Sequence, residues 1–521
     1  MSAGLRSDDF GAGALTKNLV YSALAFGLNL LLSFFLTPYL TARFGSEAYG
    51  YLKLANDLAG FAALLSIALN SMASRFLMLE RAGGNRAGER QVFSSVGAAN
   101  LMLAGGLSLP LGLCAVYLDR LLAIPAALTA EVKLTYALTF LNFLLQLTFS
   151  VYGNCYYLTN TLYLSALRGS QAGILNAVTV LGLFLCFSPR LSYVAMGALA
   201  ATAFTAAANL RATRRLTPEL RLRIGEFRRG RVRVLLASGV WNSVTRLSQI
   251  LSTQLDLLIT NLLIGAGPMG LLSVAKTVPN VIMNFNATLA NVFSPKLMRL
   301  YAEHDAEGLQ KATRTAMRFL CLFASIPNAI LLNAGAEFYR LWVPGEPAAT
   351  LHTLSLLVVL NSCVTGPIQP LYQIFTITDK VRENSLVMVA YGFVSLGATY
   401  VLLRVTSWGV YGILWVNLVG SLLMAGFYHL PRSARLIGLP PSSFFPEVGK
   451  SILSFLLVSL LGLGVKQVIP PEGSWLRWFG CALCIGALGF TLNLLLVLTG
   501  EERRILREKA GGRLRLLLGR A

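Results

Sequence analysis

The stretch NSLVMVAYGFVSLGATYVLL, residues 384–403, decides the class of fold, because it contains twenty consecutive residues without a charge. An α-helix needs about 20 apolar residues to cross the hydrocarbon core of a bilayer. Similar apolar runs recur along the whole chain, so the sequence predicts an all-α integral membrane protein with about fourteen spans. They lie near 18–42, 48–73, 92–117, 134–158, 163–187, 193–210, 234–261, 269–293, 315–337, 351–375, 384–405, 410–430, 450–469 and 477–499.

The composition leads to the same class. Of the 521 residues, 55% are hydrophobic and only 13% are charged, with a mean hydropathy of +0.63. An ordinary soluble domain has about 25% charged residues, so a soluble enzyme and a disordered chain are both excluded. The net charge of +21 could suggest a nucleic-acid partner. Because the basic residues lie between the apolar runs, we interpret them as topology charges and expect no nucleic acid.

The distribution of basic residues predicts the orientation in the membrane. Of the 44 Lys and Arg residues, 33 lie on the side of the two termini, 8 on the other side and 3 inside the membrane. Basic loops stay in the cytoplasm, so residues 1–17 and the basic tail 500–521 are predicted to be cytoplasmic. The short polar N-terminus has no apolar core before a cleavage site and therefore predicts no signal peptide.

The densest basic segment is the loop 211–233, which contains nine arginines. Such a loop can be a topology anchor that contacts anionic lipid headgroups. The alternative is a docking site for an acidic partner protein.

The same loop separates two similar halves. A shift of 220 residues pairs Gly45 with Gly265 and Gly50 with Gly270, and gives nine identities in 44 positions. Six spans per repeat predict two lobes, 18–210 and 234–430, related by a pseudo-two-fold axis along the membrane normal. Residues 431–499 then contribute two additional C-terminal helices.

Polar side chains inside the predicted spans indicate the functional site, because ionisable and amide groups are costly in lipid and usually face a cavity. In the first, second, seventh and eighth spans they recur at helical spacing, which places them on one face of each helix. We therefore predict one central cavity lined by these equivalent helices. The candidate residues are Asn29, Lys53, Asn56, Asp57, Asn242, Arg246, Gln249, Asp256, Lys276, Asn280 and Asn284.

Each charged candidate has a structural alternative. Lys53 could extend to the outer membrane surface, or pair with Asp57 one helical turn away. Arg246 lies about twelve residues into its span, where a guanidinium needs a buried acid or an aqueous cavity. Asp256 lies about 15 Å further along the axis, too far for a direct pair. We therefore expect Arg246 to face the cavity.

Motifs of soluble catalysis are absent from the sequence. Gly449-Lys450-Ser451 resembles the end of a phosphate-binding loop, but Phe444 replaces its first glycine. The three histidines have no metal-ligand spacing, and the cysteines lie in apolar runs that predict no disulfide framework. We expect no cofactor and no enzymatic activity. Transport energy would come from an ion gradient, the membrane potential or the substrate gradient.

Three segments carry a family resemblance. Residues 35–40 (FLTPYL) with 44–50 (FGSEAYG), residues 74–76 (SRF) and residues 408–413 (WGVYGI) resemble bacterial polysaccharide flippases of the O-antigen and capsule type. These belong to the multidrug/oligosaccharidyl-lipid/polysaccharide exporter superfamily. The resemblance implies an inner-membrane transporter that moves undecaprenyl-pyrophosphate-linked oligosaccharide to the outer leaflet by alternating access. Its partners would be the lipid-linked glycan, the bilayer, an H⁺ or Na⁺ coupling ion and polysaccharide-assembly enzymes.

Two alternatives remain open at this point. A multidrug or cation antiporter of the same superfamily would share the fold, but its cationic substrates favour acidic cavities, and basic residues outnumber acids inside these spans. A membrane glycosyltransferase or glycan polymerase would need an extramembrane catalytic loop. The best acidic pair for such a loop is Asp119 with Glu131.

Overall fold

The computed structural model describes residues 12–159, 161–500 and 502–504, without the side chains of residues 12–26, 28–33 and 253. Within these ranges the chain is helical and contains no β-strand. The helices up to the eighth predicted span are α1 (Ala12–Ala82), α2 (Arg86–Val116), α3 (Leu118–Leu121), α4 (Thr129–Phe149), α5 (Asn154–Leu158), α6 (Leu162–Cys186), α7 (Ser192–Leu216), α8 (Arg229–Gln249), α9 (Asp256–Leu263), α10 (Ala266–Ala275) and α11 (Thr277–Asn291). The remaining helices are α12 (Ser294–Ala302), α13 (Ala306–Trp342), α14 (Ala348–Leu360), α15 (Ser362–Ile377), α16 (Val381–Val405), α17 (Val410–Met424), α18 (Leu430–Leu436), α19 (Phe445–Val468) and α20 (Trp475–Leu496).

Each of the fourteen predicted spans falls on a helix, which confirms the all-α membrane fold. In the described part of the chain, eleven helical segments are long and apolar enough to cross a membrane. The three missing spans have local causes. The first predicted span lies mostly in residues whose side chains are not described, α8 is not apolar enough by itself, and α10 and α11 divide the eighth span into two short pieces.

Two glycines turn the chain at equivalent places of the repeat. Gly45 interrupts α1 with a φ of +82°, and Gly265 lies between α9 and α10 with a φ of +136°. This region of φ is open to glycine and costly for other residues. The 220-residue shift pairs these two glycines, so the sequence repeat preserves a backbone turn.

The chain forms two compact units. The first unit consists of the chain up to Ser273 together with the later segment Ser385–Phe393. The second unit consists of Val274–Asn384 and the chain from Val394. The first unit extends beyond the predicted loop 211–233 because α8 packs along α1. Gly239 lies so close to the backbone of Ala68 that a Cβ there would overlap its carbonyl oxygen. The two six-span lobes stay a prediction.

The arginine-rich loop is a folded part of the first unit. The carboxylate of Glu89 is fully buried and accepts a hydrogen bond from Arg81 at 2.7 Å. Arg81 also binds Glu219 of the loop at 2.9 Å, and Arg231 pairs with Glu80 at 2.6 Å. These pairs hold the loop against α1 and α2. Most of its other arginines remain exposed.

The last two spans are integrated into the second unit. The side chain of Asn493 in α20 donates to the carbonyl of Leu322 in α13 at 3.0 Å. Ser454 in α19 donates to the hydroxyl of Ser325 in α13 at 2.8 Å. All four residues are buried in this network. Helices α19 and α20 are therefore part of the core around α13 rather than peripheral additions.

Candidate functional site

A polar cavity lies inside the first unit, among α1, α4, α6 and α7. Its volume is about 230 Å³. Its polar walls are Thr37, Tyr49, Lys53, Asn56, Thr139, Asn142 and Asn176. A hydrated space within membrane-spanning helices is where a transporter could hold a polar ligand. The cavity contains two of the predicted site residues, Lys53 and Asn56, but not Asp57.

The ammonium of Lys53 is held by an aromatic ring. It lies 5.2 Å from the ring centroid of Tyr49, one helical turn earlier, at a distance typical of a cation–π interaction. The Tyr49 hydroxyl is 3.1 Å from the hydroxyl of Thr37. Lys53 lies in the wall of the cavity, and the charge of Asp57, one helical turn further on, also acts on its ammonium.

Two amide side chains in the cavity wall were not among the predicted candidates. The side-chain oxygens of Asn142 in α4 and Asn176 in α6 are buried and accept no hydrogen bond among the described atoms. A buried acceptor without a donor costs about 1–3 kcal/mol, which a ligand hydroxyl could recover. The signal was present as isolated asparagines in otherwise apolar spans. The prediction was limited to the first, second, seventh and eighth spans and therefore did not include them.

Arg246 lies on α8, against α1. Its guanidinium donates to the side-chain oxygen of Gln249 at 3.2 Å. Its other terminal nitrogen lies beside Gly60, where a Cβ would be 3.7 Å away. Asn242, one turn earlier, donates to the hydroxyl of Ser71 at 3.0 Å. In the described part of the chain Arg246 forms no ion pair, and the neutral amide of Gln249 accepts its hydrogen bond.

Asp256 is separated from Arg246 by a change of helix type. A π-helical turn, Ile250–Gln254, follows α8, and Asp256 then begins α9. Its side chain is buried, whereas Arg246 is half-buried and Gln249 is exposed. Residues on either side of this turn do not continue one straight polar face. Asp256 therefore lies apart from the Arg246 group.

A row of polar side chains is exposed along α11 in the second unit. Asn280, Asn284, Thr288 and Asn291 lie at helical spacing and are all exposed. Lys276 precedes the helix and is half-buried. The predicted polar stripe of the eighth span thus lies on one open face. Of the predicted candidates, only the side chain of Asn29 lies outside the described residues.

Two repeat-equivalent turns contact each other in the first unit. A Cβ on Gly270 would lie 2.6 Å from the backbone of Ser46 and Glu47, and a Cβ on Gly50 would lie 3.0 Å from Cα of Gly270. Nearby, Asn261 accepts a hydrogen bond from the backbone of Ala123 at 3.0 Å. By the predicted topology these contacts lie on the outer side. They join the two turns within the first unit.

The acidic pair that an enzymatic alternative would use has structural partners. Asp119 pairs with Lys133 at 2.8 Å, and this hydrogen bond holds the pKa of the Asp119 carboxyl below its ordinary value. Glu131 accepts the backbone N–H of Ser192 at 2.8 Å. Both carboxylates are therefore occupied in stabilising the outer loops.

The helical fold and its apolar spans define a multi-pass membrane protein. The profile of the family described as "Polysaccharide biosynthesis protein" matches residues 15–300, more than half of the chain, and the chain belongs to this family. The "Uncharacterized membrane protein EpsK" of Bacillus subtilis (strain 168) is 25% identical over 493 residues, covering 94% of this chain and 97% of the relative.

Solved structures show the same fold. The lipid II flippase MurJ in an inward closed conformation matches with a TM-score of 0.61 and 11% identity, over 93% of this chain and 98% of MurJ. An inward-facing multidrug resistance MATE family transporter matches with a TM-score of 0.59 and 14% identity, over 80% of this chain and 94% of the transporter. These similarities show that the chain shares its fold with the matched flippase and transporter.

Proposed function

We propose that the protein flips a lipid-linked oligosaccharide, carried on undecaprenyl pyrophosphate, from the cytoplasmic to the outer leaflet of the bacterial inner membrane. This step serves polysaccharide biosynthesis, the process named by the family. Both termini and the arginine-rich loop 211–233 face the cytoplasm in this proposal. The exposed arginines of that loop contact anionic lipid or polysaccharide-assembly enzymes.

The observation that carries the proposal is the exposed amide row of α11. Asn280, Asn284 and Asn291 belong to a predicted span, yet their side chains are open rather than packed. Amides are costly to expose to hydrocarbon, so this face contacts water or a polar ligand. Sugar hydroxyls match amide groups because both donate and accept hydrogen bonds.

The cations supply the complementary chemistry for a diphosphate. The guanidinium of Arg246 has an amide partner but no acid, and a planar guanidinium binds phosphate oxygens through two parallel hydrogen bonds. In the cavity of the first unit, Lys53 and the unpartnered oxygens of Asn142 and Asn176 suit a single sugar ring. The lipid tail stays in the bilayer.

Alternating access requires the closed outer contact to open. In our proposal the turn at Gly50 separates from the turn at Gly270 when the substrate is released outward. The energy comes from an H⁺ or Na⁺ gradient, the membrane potential or the substrate gradient. No cofactor takes part.

The test is a deletion strain complemented with the wild-type gene or with a variant. Without the protein, lipid-linked glycan should accumulate facing the cytoplasm, where an externally added glycosidase cannot reach it until the cells are opened. Complementation by the wild type should restore glycan in the outer leaflet. If the deletion strain exports glycan normally but loses resistance to cationic drugs, the antiporter alternative replaces this proposal.

A further inference from the structure

A line of buried polar side chains follows the contact between α13 and α19 in the second unit. None of its members belongs to the proposed substrate site. In each of three contacting pairs the residue numbers differ by 129, so the two helices run in the same direction with a constant register. These pairs are Arg318 with Glu447, Ser325 with Ser454, and Asn333 with Gly462.

A buried carboxylate lies at each end of this line. Glu447, at the end that the predicted topology places in the cytoplasm, pairs with Arg318 at 2.8 Å and with Lys450 at 3.7 Å. Glu337, at the other end, pairs with the exposed Arg340 at 2.6 Å. The helix from Arg318 to Glu337 is about 28 Å long, close to the hydrocarbon thickness of about 30 Å. Two more charged groups belong to these ends, Glu502 at 3.5 Å from Arg318 and Lys466 in the last turn of α19.

Hydroxyl and amide groups fill the interval between the two carboxylates, where α13 has no charged residue. Asn328 donates to the hydroxyl of Ser362 in α15 at 2.7 Å, and Asn333 donates to the carbonyl of Ser459 at 3.2 Å. Counted over both helices, successive polar side chains are about one helical turn apart or less. In order along the axis they include Ser451, Ser325, Asn328, Ser459 and Asn333, all of which are buried.

Three groups in the middle of the line lack hydrogen bonds. The side-chain oxygens of Asn328 and Asn333 and the hydroxyl of Ser459 are buried and have no partner among the residues that the structure describes. Buried polar groups without partners are costly, and ordered water molecules commonly satisfy them. Since the amide of Asn333 contacts Ser459, one water molecule can bind to both.

We propose that water molecules bound at these groups complete a proton pathway through the second unit, from Glu337 on the outer side to Glu447 on the cytoplasmic side. The inference rests on the proposed function in one respect, because it makes H⁺ the coupling ion of that transport. Ionisable groups inside membrane spans commonly mark such proton relays.

The proton moves by exchange of O–H bonds. The carboxylate of Glu337 takes up a proton and passes it to a bound water, which releases another proton to the next water or hydroxyl. Glu447 receives the last proton and releases it to the cytoplasm. Each step forms one O–H bond and breaks one, so every group finally holds as many protons as before. The amides of Asn328 and Asn333 hold the water molecules and carry no proton themselves.

The test measures proton entry into proteoliposomes that contain the purified full-length protein and no glycan. A potassium diffusion potential drives protons inward, and a trapped pH-sensitive dye reports them. The wild type should admit protons faster than protein-free vesicles do. Asn333→Leu should slow this entry by about tenfold, the effect of one lost hydrogen bond to water, because leucine is similar in shape to asparagine but binds no water.

Two hydroxyl deletions form a matched pair. Ser459→Ala removes a hydroxyl from the line, whereas Thr491→Val removes one from the exposed side of α20 that bonds only to the carbonyl of Ala487 in the same helix. Only Ser459→Ala should slow proton entry, and both variants should keep the Tm of the wild type. Ser459→Ala also serves as the test if Asn333→Leu does not fold.

Two results would overturn the pathway. The first is equal proton entry into wild-type and protein-free vesicles. The second is a lower Tm with unchanged proton entry in Asn333→Leu and Ser459→Ala, which would make the line a purely structural contact between membrane helices. Proton entry that is sensitive to these variants, in a protein whose deletion leaves glycan export normal, would retain the pathway and refute the proposed flippase function.

Discussion

The turns at Gly45–Gly50 and Gly265–Gly270 can be compared with the polar side chains that follow them. The 220-residue shift preserves the glycines in both repeats, and the structure brings the two turns into backbone contact. The polar residues are not preserved, since the same shift aligns Lys53 with Ser273 and Asn56 with Lys276. The difference separates two requirements. Close backbone contact needs the same small residue twice, whereas binding of an asymmetric substrate needs different side chains in each repeat.

The largest effect is expected at the shared glycines. Gly270→Leu places a side chain where a Cβ already lies 2.6 Å from the backbone of Ser46 and Glu47. Forcing extra atoms into packed structure costs about 1–3 kcal/mol, so the variant should lose export and several degrees of Tm. Gly105→Leu is the control, because nothing lies within 4 Å of a Cβ there. Equal Tm and export for both variants would contradict the importance of this contact.

The next effect is expected at Arg246, which has no equivalent charge in the other repeat. Arg246→Ala should reduce glycan export by roughly 10–100-fold, the loss of one hydrogen-bonded charge, while the protein still accumulates in the membrane. Arg246→Lys should recover part of the export because the charge remains without the planar fork. Arg299→Ala, at an exposed position of α12, should export normally. Normal export by Arg246→Ala would refute the anion-site role.

A smaller effect is expected at Lys53. Lys53→Met keeps the length of the side chain and removes the charge, so export should fall by about tenfold through loss of one charged hydrogen bond. Tm should change little, because the methionine side chain can still pack against the ring of Tyr49. Lys296→Met, at an exposed position, serves as control. A loss of Tm without a specific loss of export would show that Lys53 is structural.

The smallest effect separates the two faces of α11. Asn284→Leu should lower export severalfold without lowering Tm, because the Asn284 side chain is exposed. Asn286→Leu should leave export unchanged and maintain or raise Tm, since both polar atoms of that buried amide lack hydrogen bonds among the described residues. Comparison of export rates and melting curves checks both. If Asn286→Leu lost export and Asn284→Leu did not, the functional face would be the other side of α11.

The sequence predicted the helices well because each span is a local property of length and apolarity. The polar stripe of α11 was also predicted, since 3.6-residue periodicity places Asn280 and Asn284 on one face of a regular helix. The cavity wall was predicted only in part. Asn142 and Asn176 belong to different helices, and their meeting with Lys53 depends on tertiary packing that no single-helix period contains. The contact of the Lys53 ammonium with the ring of Tyr49 was also not predicted.

The boundary between the two compact units could likewise not be predicted from local sequence patterns. The arginine-rich loop 211–233 marks the end of one sequence repeat, but the backbone approach of Gly239 to Ala68 packs α8 within the first unit. Such an approach requires small residues at two distant positions. Either residue alone carries no sign of its partner.

The π-helical turn Ile250–Gln254 has a consequence for sequence alignment. A π-turn accommodates one more residue than an α-helix in the same stretch. Deletion of one residue within 250–254 could therefore restore a continuous α-helix without breaking the chain. Because the π-turn holds the additional residue within about one turn, such a deletion should leave Asp256 and the rest of α9 on nearly the same face relative to Arg246. A relative whose alignment shows a one-residue gap here should therefore present the same face of this span.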